Sequence, residues 1–256
     1  MLQVSGLLKH FGGVKALDGV SFAVAPGECV ALIGPNGAGK STCFACIAGQ
    51  YSPTSGDVAW NGQSLKELSP AARLGRGVAR TFQVAQVFEA LTVLQNVQLG
   101  ALANAGPRGV SARISGFRQI DSQCVSQARA LLEETGLQAL AQHDVPSLPY
   151  GARKRLELAV ALAANPQLLL LDEPAAGLAE EERSMLMRLV TRLARDGMAV
   201  LYTEHNMDAV ARVADRVLVL IEGKLAAQGS FEEISRDSNV RRRYLGEPNP
   251  SGTRDA

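Results

Sequence analysis

The sequence is short of three things: long apolar runs, net charge and cysteine. Its most apolar stretch, Leu156 to Leu171, is broken by Glu157 and by Asn165-Pro166-Gln167. That excludes a membrane-spanning helix, which needs about 20 consecutive apolar residues. A formal net charge of +1 supplies no global field for nucleic acid or anionic lipid, so no nucleic-acid partner is expected. Met1-Leu2-Gln3-Val4-Ser5 lacks a basic segment leading into an apolar one, so no secretory leader is expected and the chain reads as cytoplasmic. The four cysteines stand at 29, 43, 46 and 124. Cys43 and Cys46 form a CxxC pair, which raises redox chemistry. One pair supplies too few ligands for a structural zinc. Three residues apart on a helix is also the spacing of core-packing positions, and packing is the preferred reading.

At 256 residues, 46% hydrophobic and 20% charged, the chain has the length for one large α/β domain or two small ones. The first sixty residues read as short strands and turns. Val20–Val24 alternates, Pro26-Gly27-Glu28 turns, and Asp57–Trp60 runs into a hairpin at Asn61-Gly62. Cys29–Ile33 is an apolar run fit for a strand buried on both faces. From about Leu91 to Leu148 the pattern becomes helical, with Gln119–Thr135 followed by Gly136 as a C-cap and a loop at 106–109 and 115–116. A helix over Arg153–Ala164 is stopped by Asn165-Pro166. The strands Leu168–Leu171, Met198–Tyr202 and Val217–Ile221 then alternate with a helix over Glu180–Arg195, which predicts a largely parallel, covered sheet. Glu222-Gly223-Lys224 turns a last hairpin. The tail 246–256, rich in Pro, Gly, Ser and charge, predicts no packed structure.

Two segments carry chemistry. Gly34-Pro35-Asn36-Gly37-Ala38-Gly39-Lys40-Ser41-Thr42 is a P-loop set between an apolar strand and a helix. Its glycines let successive backbone N–H groups face one anion, and the helix N-terminus adds partial positive charge. Lys40 reaches β- and γ-phosphates, and Ser41 offers its hydroxyl to Mg²⁺. The second is Leu168-Leu169-Leu170-Leu171-Asp172-Glu173-Pro174. Asp172, at the end of a strand, would face the P-loop and hold Mg²⁺ through a water. Glu173 is placed to polarise an attacking water.

With these motifs the chain resembles the ATP-binding subunits of ABC transporters over nearly its full length. The resemblance implies a P-loop NTPase (RecA-like) α/β core over 1–245, with an N-terminal antiparallel β-subdomain and an inserted helical subdomain at about 91–152. It also implies further roles. Gln83, in Thr81-Phe82-Gln83, would contact Mg²⁺ and the water and sense the membrane subunit. His205, in Tyr202-Thr203-Glu204-His205, would contact the γ-phosphate. Phe11, in Lys9-His10-Phe11-Gly12-Gly13, would stack on adenine.

The family's usual signature, Leu-Ser-Gly-Gly-Gln, is here Leu148-Pro149-Tyr150-Gly151-Ala152. Pro149 removes the serine hydroxyl and a backbone N–H. Gly151, at a helix start, can still face a γ-phosphate. Ala179 stands where the family usually has an aspartate. Family members pair head to tail, with ATP between one P-loop and the other chain's signature. This chain would therefore bring a strong first half and a weaker second.

The segments Leu148–Gly151, Asp172–Leu178, Lys9-His10-Phe11-Gly12-Gly13, Arg80–Gln83 with Phe88–Thr92, and Arg243-Tyr244-Leu245-Gly246-Glu247 look like the branched-chain amino-acid importer branch. That branch uses two ATPase subunits, two membrane subunits and a periplasmic solute-binding protein. Its close relatives import urea, short amides or aromatic acids. The resemblance implies a peripheral ATPase on the cytoplasmic face of the inner membrane that uses ATP and Mg²⁺. A lipid or lipopolysaccharide exporter ATPase, a soluble ABC ATPase of DNA repair or translation, and a non-hydrolysing regulatory module are the alternatives. The departure of Leu148-Pro149-Tyr150-Gly151 from the full signature usual in exporters, the lack of the insertions usual in soluble members, and the presence of Glu173 with His205 weigh against them in turn. The basic runs Arg153-Lys154-Arg155 and Arg241-Arg242-Arg243 read as solvated surface, with a contact to a partner ATPase or to anionic groups the other reading of the first.

Overall fold

The computed structural model describes residues 1–103 and 122–245. The expected loop at 106–109 and 115–116, the first residues of the helix expected from Gln119, and the tail from 246 lie outside the described residues.

Strands β1 (Leu2–Phe11) and β2 (Val14–Val24) form an antiparallel hairpin, and β4 (Ser55–Trp60) pairs with the other side of β1. β5 (Gln63–Ser64) returns through Asn61-Gly62, whose φ values of 50 and 76 suit the turn that two-residue hairpins favour. These four form one sheet, in the order β2-β1-β4-β5. β1 and β2 span 10 and 11 residues, longer than the short strands expected. Register shifts between Val4 and Leu7 and between Lys9 and His10 break the alternation that would have revealed their length.

The second sheet contains β3 (Cys29–Ile33), β6 (Val78–Arg80), β7 (Leu168–Leu171), β8 (Ala199–Thr203), β9 (Arg216–Ile221) and β10 (Lys224–Gly229), in the order β10-β9-β3-β8-β7-β6. All neighbours are parallel except β9 and β10, which join through Glu222-Gly223 as expected. Successive side chains point to opposite faces, and the core divides accordingly. Val30, Leu32, Leu168, Leu170 and Leu201 pack with helix α1 (Lys40–Ala48) and the first sheet. Ala31, Ile33, Leu169, Leu171 and Val200 pack on the other side. There they meet α6 (Glu180–Arg195), whose first turn is acidic and last turn basic, in keeping with its dipole.

Helices α3 (Val93–Ala103), α4 (Ser122–Glu134) and α5 (Tyr150–Ala163) share a third cluster that includes Val93, Val97, Ala128, Leu132 and Leu156. Gly100 lets α3 close on α5, since a Cβ there would stand 2.4 Å from the Val160 carbonyl oxygen. Gly136, at φ 66, ends α4 as expected. α5 runs past residue 152, and its Leu158 and Leu162 belong to the second cluster, so one rigid rod spans two cores. The short helices α2 (Pro70–Leu74), α7 (Met207–Val213) and α8 (Phe231–Arg236) are not expected from the sequence pattern. Each has a local N-cap in the sequence, Ser69, Asn206 and Ser230.

Helix α1 ends against a buried cation. Arg73 donates to the carbonyls of Cys46 and Ile47 at 2.7 Å and of Leu68 at 3.0 Å. Gly49 closes the helix at φ 83, with room for no Cβ beside the guanidinium. Cys43 and Cys46 are both buried free thiols on α1, which supports packing over redox chemistry. Burial pushes Cys29 up to about 12 and Cys46 to about 11, and raises Cys43 as well. Thiolate is the reactive form. A thiol reagent at pH 8 is therefore expected to leave Cys29, Cys43 and Cys46 unmodified in the native chain and to modify them after denaturation. Rapid native labelling of Cys43, read by peptide mass, would contradict the packing.

Candidate functional site

The loop between β3 and α1 is pressed into the fold by its glycines. A Cβ on Gly34 would stand 2.0 Å from the Leu220 carbonyl oxygen, and one on Gly39 2.4 Å from that of Ala16. Gly39, at φ 101, enters the helix directly. Lys40 folds back over the loop and donates to the carbonyls of Gly34 at 2.6 Å and Pro35 at 3.0 Å. Burial draws this ammonium below the usual lysine range, while the charges of Glu173 and Asp172 oppose that shift.

The parallel register places the other chemistry beside this loop. Leu32 is level with Thr203, and Leu171 with Tyr202, so the ends of β3, β8 and β7 stand in a row. Asp172 is nearly buried. Its Oδ1 accepts from the Thr203 hydroxyl and its Oδ2 from Arg80, both at 2.9 Å. Arg80 also bonds to Gln50 and faces the rings of Phe44 and Phe82. Glu173 adopts a left-handed conformation, φ 48, with its N–H donating to the Thr203 hydroxyl at 2.9 Å. Its carboxylate lies between two side chains. Gln83 Nε2 donates to Oε2 at 3.0 Å, and His205 Nε2 lies 2.8 Å from Oε1.

Asn36 to Thr42, Gln83, Glu173 and His205 line one cavity of about 450 Å³, closed by Val14-Lys15-Ala16 and Glu222. Gly34 and Pro35 stand behind it as the carbonyl partners of Lys40. Phe11 is not among the lining residues. It is 43% exposed and packs edge-on against Tyr51 at 5.3 Å, with the Lys9 ammonium 4.9 Å above its ring. The oxygens of Ser41, Gln83 and Asp172 could serve Mg²⁺, which typically takes one or two carboxylates, waters and substrate phosphates. Among the described residues no group of three His, Cys, Asp or Glu could hold a metal by itself.

The signature segment stands apart from this cavity. Pro149 is the N-cap of α5 and offers no side-chain acceptor, and Ala179 likewise leaves the N-terminus of α6 without a side-chain cap. Gly151 abuts the Glu182 carboxylate, whose Oε1 would be 2.4 Å from an added Cβ. The run Arg153-Lys154-Arg155 is not a solvated face, contrary to the reading from composition. Arg153 bonds to the carbonyls of Pro146 and Leu148, and Arg155 to those of Thr135 and Gly136 at the end of α4. Lys154 is buried and reaches the carbonyls of Phe82 at 3.4 Å and Glu173 at 3.3 Å. Glu157, one turn on, accepts from the N–H groups of Phe82 and Gln86, both at 3.0 Å. The one sequence signal was Glu157, a lone carboxylate among Leu156, Leu158, Ala159 and Val160, three residues after Lys154.

The sequence model for ABC transporters matches residues 17–176. The chain is 38% identical over 251 residues to the high-affinity branched-chain amino acid transport ATP-binding protein LivG of Escherichia coli (strain K12), covering 96% of this chain and 98% of that protein. It is 35% identical to the ribose import ATP-binding protein RbsA 1 of Rubrobacter xylanophilus over 94% of this chain and 46% of that protein. The crystal structure of a nucleotide-free ATP-binding cassette from an ABC transporter superposes with a TM-score of 0.85 at 31% identity, over 96% of this chain and 99% of that one.

Lys40→Ala should weaken ATP binding about 10–100-fold, the loss of a charge-assisted contact; titration with a fluorescent ATP analogue checks this, and unchanged affinity would sink the P-loop assignment. Glu173→Gln should keep nucleotide binding and lower turnover about 10²–10⁴-fold, as read by phosphate release; normal turnover would remove Glu173 as the base.

Proposed function

The chain belongs to the ABC transporter ATP-binding family, and from that premise we propose that it energises an importer of branched-chain amino acids or chemically related small solutes such as urea, amides or aromatic acids. ATP hydrolysis coupled to transport is the activity of the family and of this chain. The observation that carries the mechanism is the Glu173 carboxylate held between Gln83 and His205 at the mouth of the P-loop cavity. The loop N–H groups and Lys40 bind the β- and γ-phosphates. Glu173 takes a proton from the attacking water, Gln83 orients that water, and His205 holds the γ-phosphate. The oxygens of Ser41, Gln83 and Asp172 would hold magnesium, which would screen the phosphate charge. Phe11, exposed beside Tyr51 and three residues before Val14 of the cavity wall, is the proposed adenine contact.

Hydrolysis in this family needs a second ATP-binding subunit, and Gly151 is proposed to face the partner's γ-phosphate. The Glu182 carboxylate beside it makes this chain's signature the less favourable half, which supports pairing with a different chain. An apolar groove of about 620 Å³ runs between Leu74, Phe82, Phe88, Leu99 and Val160. It is the proposed seat of a membrane subunit, with the helices packed around α3 forming the subdomain that carries it. No described helix is long and apolar enough to cross a membrane, and the proposed place is the cytoplasmic face of the inner membrane. LivG, matched over 98% of its length, supports an amino-acid cargo. The ribose-importer relative is matched over about half of its length, which supports the sugar reading less.

Affinity purification from native membranes should recover two membrane subunits and a second ATP-binding chain. Mixed with that chain, the protein should hydrolyse ATP faster than either alone; equal rates would count against a heterodimer. Transport assays on the recovered complex with radiolabelled leucine, urea and ribose then decide the cargo.

A further inference from the structure

Lys154 and Glu157 lie three residues apart on α5, hence on one face of the helix. Both are buried, a placement that is costly for charged groups unless they are well paired. Burial lowers the lysine and pushes the glutamate up to about 7. Nothing in apolar packing requires either charge. What they touch is backbone. Glu157 accepts the N–H groups of Phe82 and Gln86, which flank the segment holding Gln83. Lys154 reaches the carbonyls of Phe82 and Glu173. Two side chains of one helix thus grip both of the loops whose side chains meet in the Gln83–Glu173 hydrogen bond of 3.0 Å.

We propose that Lys154 and Glu157 are positioning residues for hydrolysis, holding the Gln83 loop and the Glu173 backbone at the spacing the attacking water requires. The helix that carries them also holds the signature residue Gly151 in its first turn, and Glu157, Phe82 and Gln86 all line the apolar groove. An occupant of that groove therefore presses on the same contact that aligns the base. The inference rests on Glu173 acting as that base.

The test uses the full chain with the variants Glu157→Ala, Glu157→Gln and Lys154→Met. Phosphate release is measured against ATP concentration, and affinity with a fluorescent ATP analogue. A displacement of about 1 Å at a reacting group costs up to about 10²-fold. Glu157→Ala should accordingly lower kcat about 10–100-fold and leave affinity within about twofold. Glu157→Gln should recover most of kcat, because its amide oxygen accepts the same two N–H groups. Lys154→Met should lower kcat in the same way, and the double variant should be little worse than the stronger single, since both act on one segment. A kcat in Glu157→Ala within twofold of native overturns the proposal, as do equal losses of affinity and kcat in Glu157→Ala and Glu157→Gln. If Glu157→Ala does not fold, native kcat in Lys154→Met overturns it. Glu173→Gln is run alongside. Full turnover there removes the base assignment itself, whereas full turnover in Glu157→Ala beside an inactive Glu173→Gln removes only the positioning role.

Discussion

The parallel pairing of β3, β8 and β7 sets where everything else in the site can be. Leu32 opposite Thr203 and Leu171 opposite Tyr202 bring three strand ends into one row. Thr203 is then in reach of two groups at once, bonding to the Asp172 carboxylate and accepting from the Glu173 N–H. A slip of one residue in either pairing would turn these side chains to the opposite face of the sheet and part the P-loop from its acids. Since β3, β7 and β8 are buried on both faces, a slip would still leave apolar residues inside, and what it would lose is the pair of bonds from Asp172 and Glu173 to Thr203.

The formal charges lining the cavity nearly cancel. Lys15 and Lys40 stand against Glu173 and Glu222, and Lys40 is already engaged with the loop carbonyls. Attraction for a polyphosphate therefore depends heavily on groups that carry no formal charge, the loop N–H groups and the N-terminus of α1. This explains why the glycines are pressed so closely against Leu220 and Ala16. A loop that must aim its N–H groups has no latitude for a side chain.

What the sequence made legible was contiguous. The P-loop, the strand Leu168–Leu171 and the helix Glu180–Arg195 each announce themselves within a few residues, and the structure has the strand and the helix at those bounds. β1 and β2 were read short because bulges interrupt their period. The bond from Arg80 to Asp172 joins residues 92 positions apart, and no local pattern announces such a contact. Lys154 was misread for a related reason: a lysine between two arginines looks solvated until the loops it grips are folded over it. Phe11 was assigned by resemblance, and the wall next to the cavity is formed by Val14-Lys15-Ala16.

Helix α1 is bounded by charge at both poles, but of two different kinds. Arg73 holds its C-terminal carbonyls as a permanent cation locked in the core, while its N-terminus opens on the P-loop cavity, where nucleotide phosphate would come and go with turnover. One pole keeps its counter-ion; the other would lose it at product release. The field along these nine residues would then swing about one fixed end, which would make α1 a built-in voltmeter for nucleotide state.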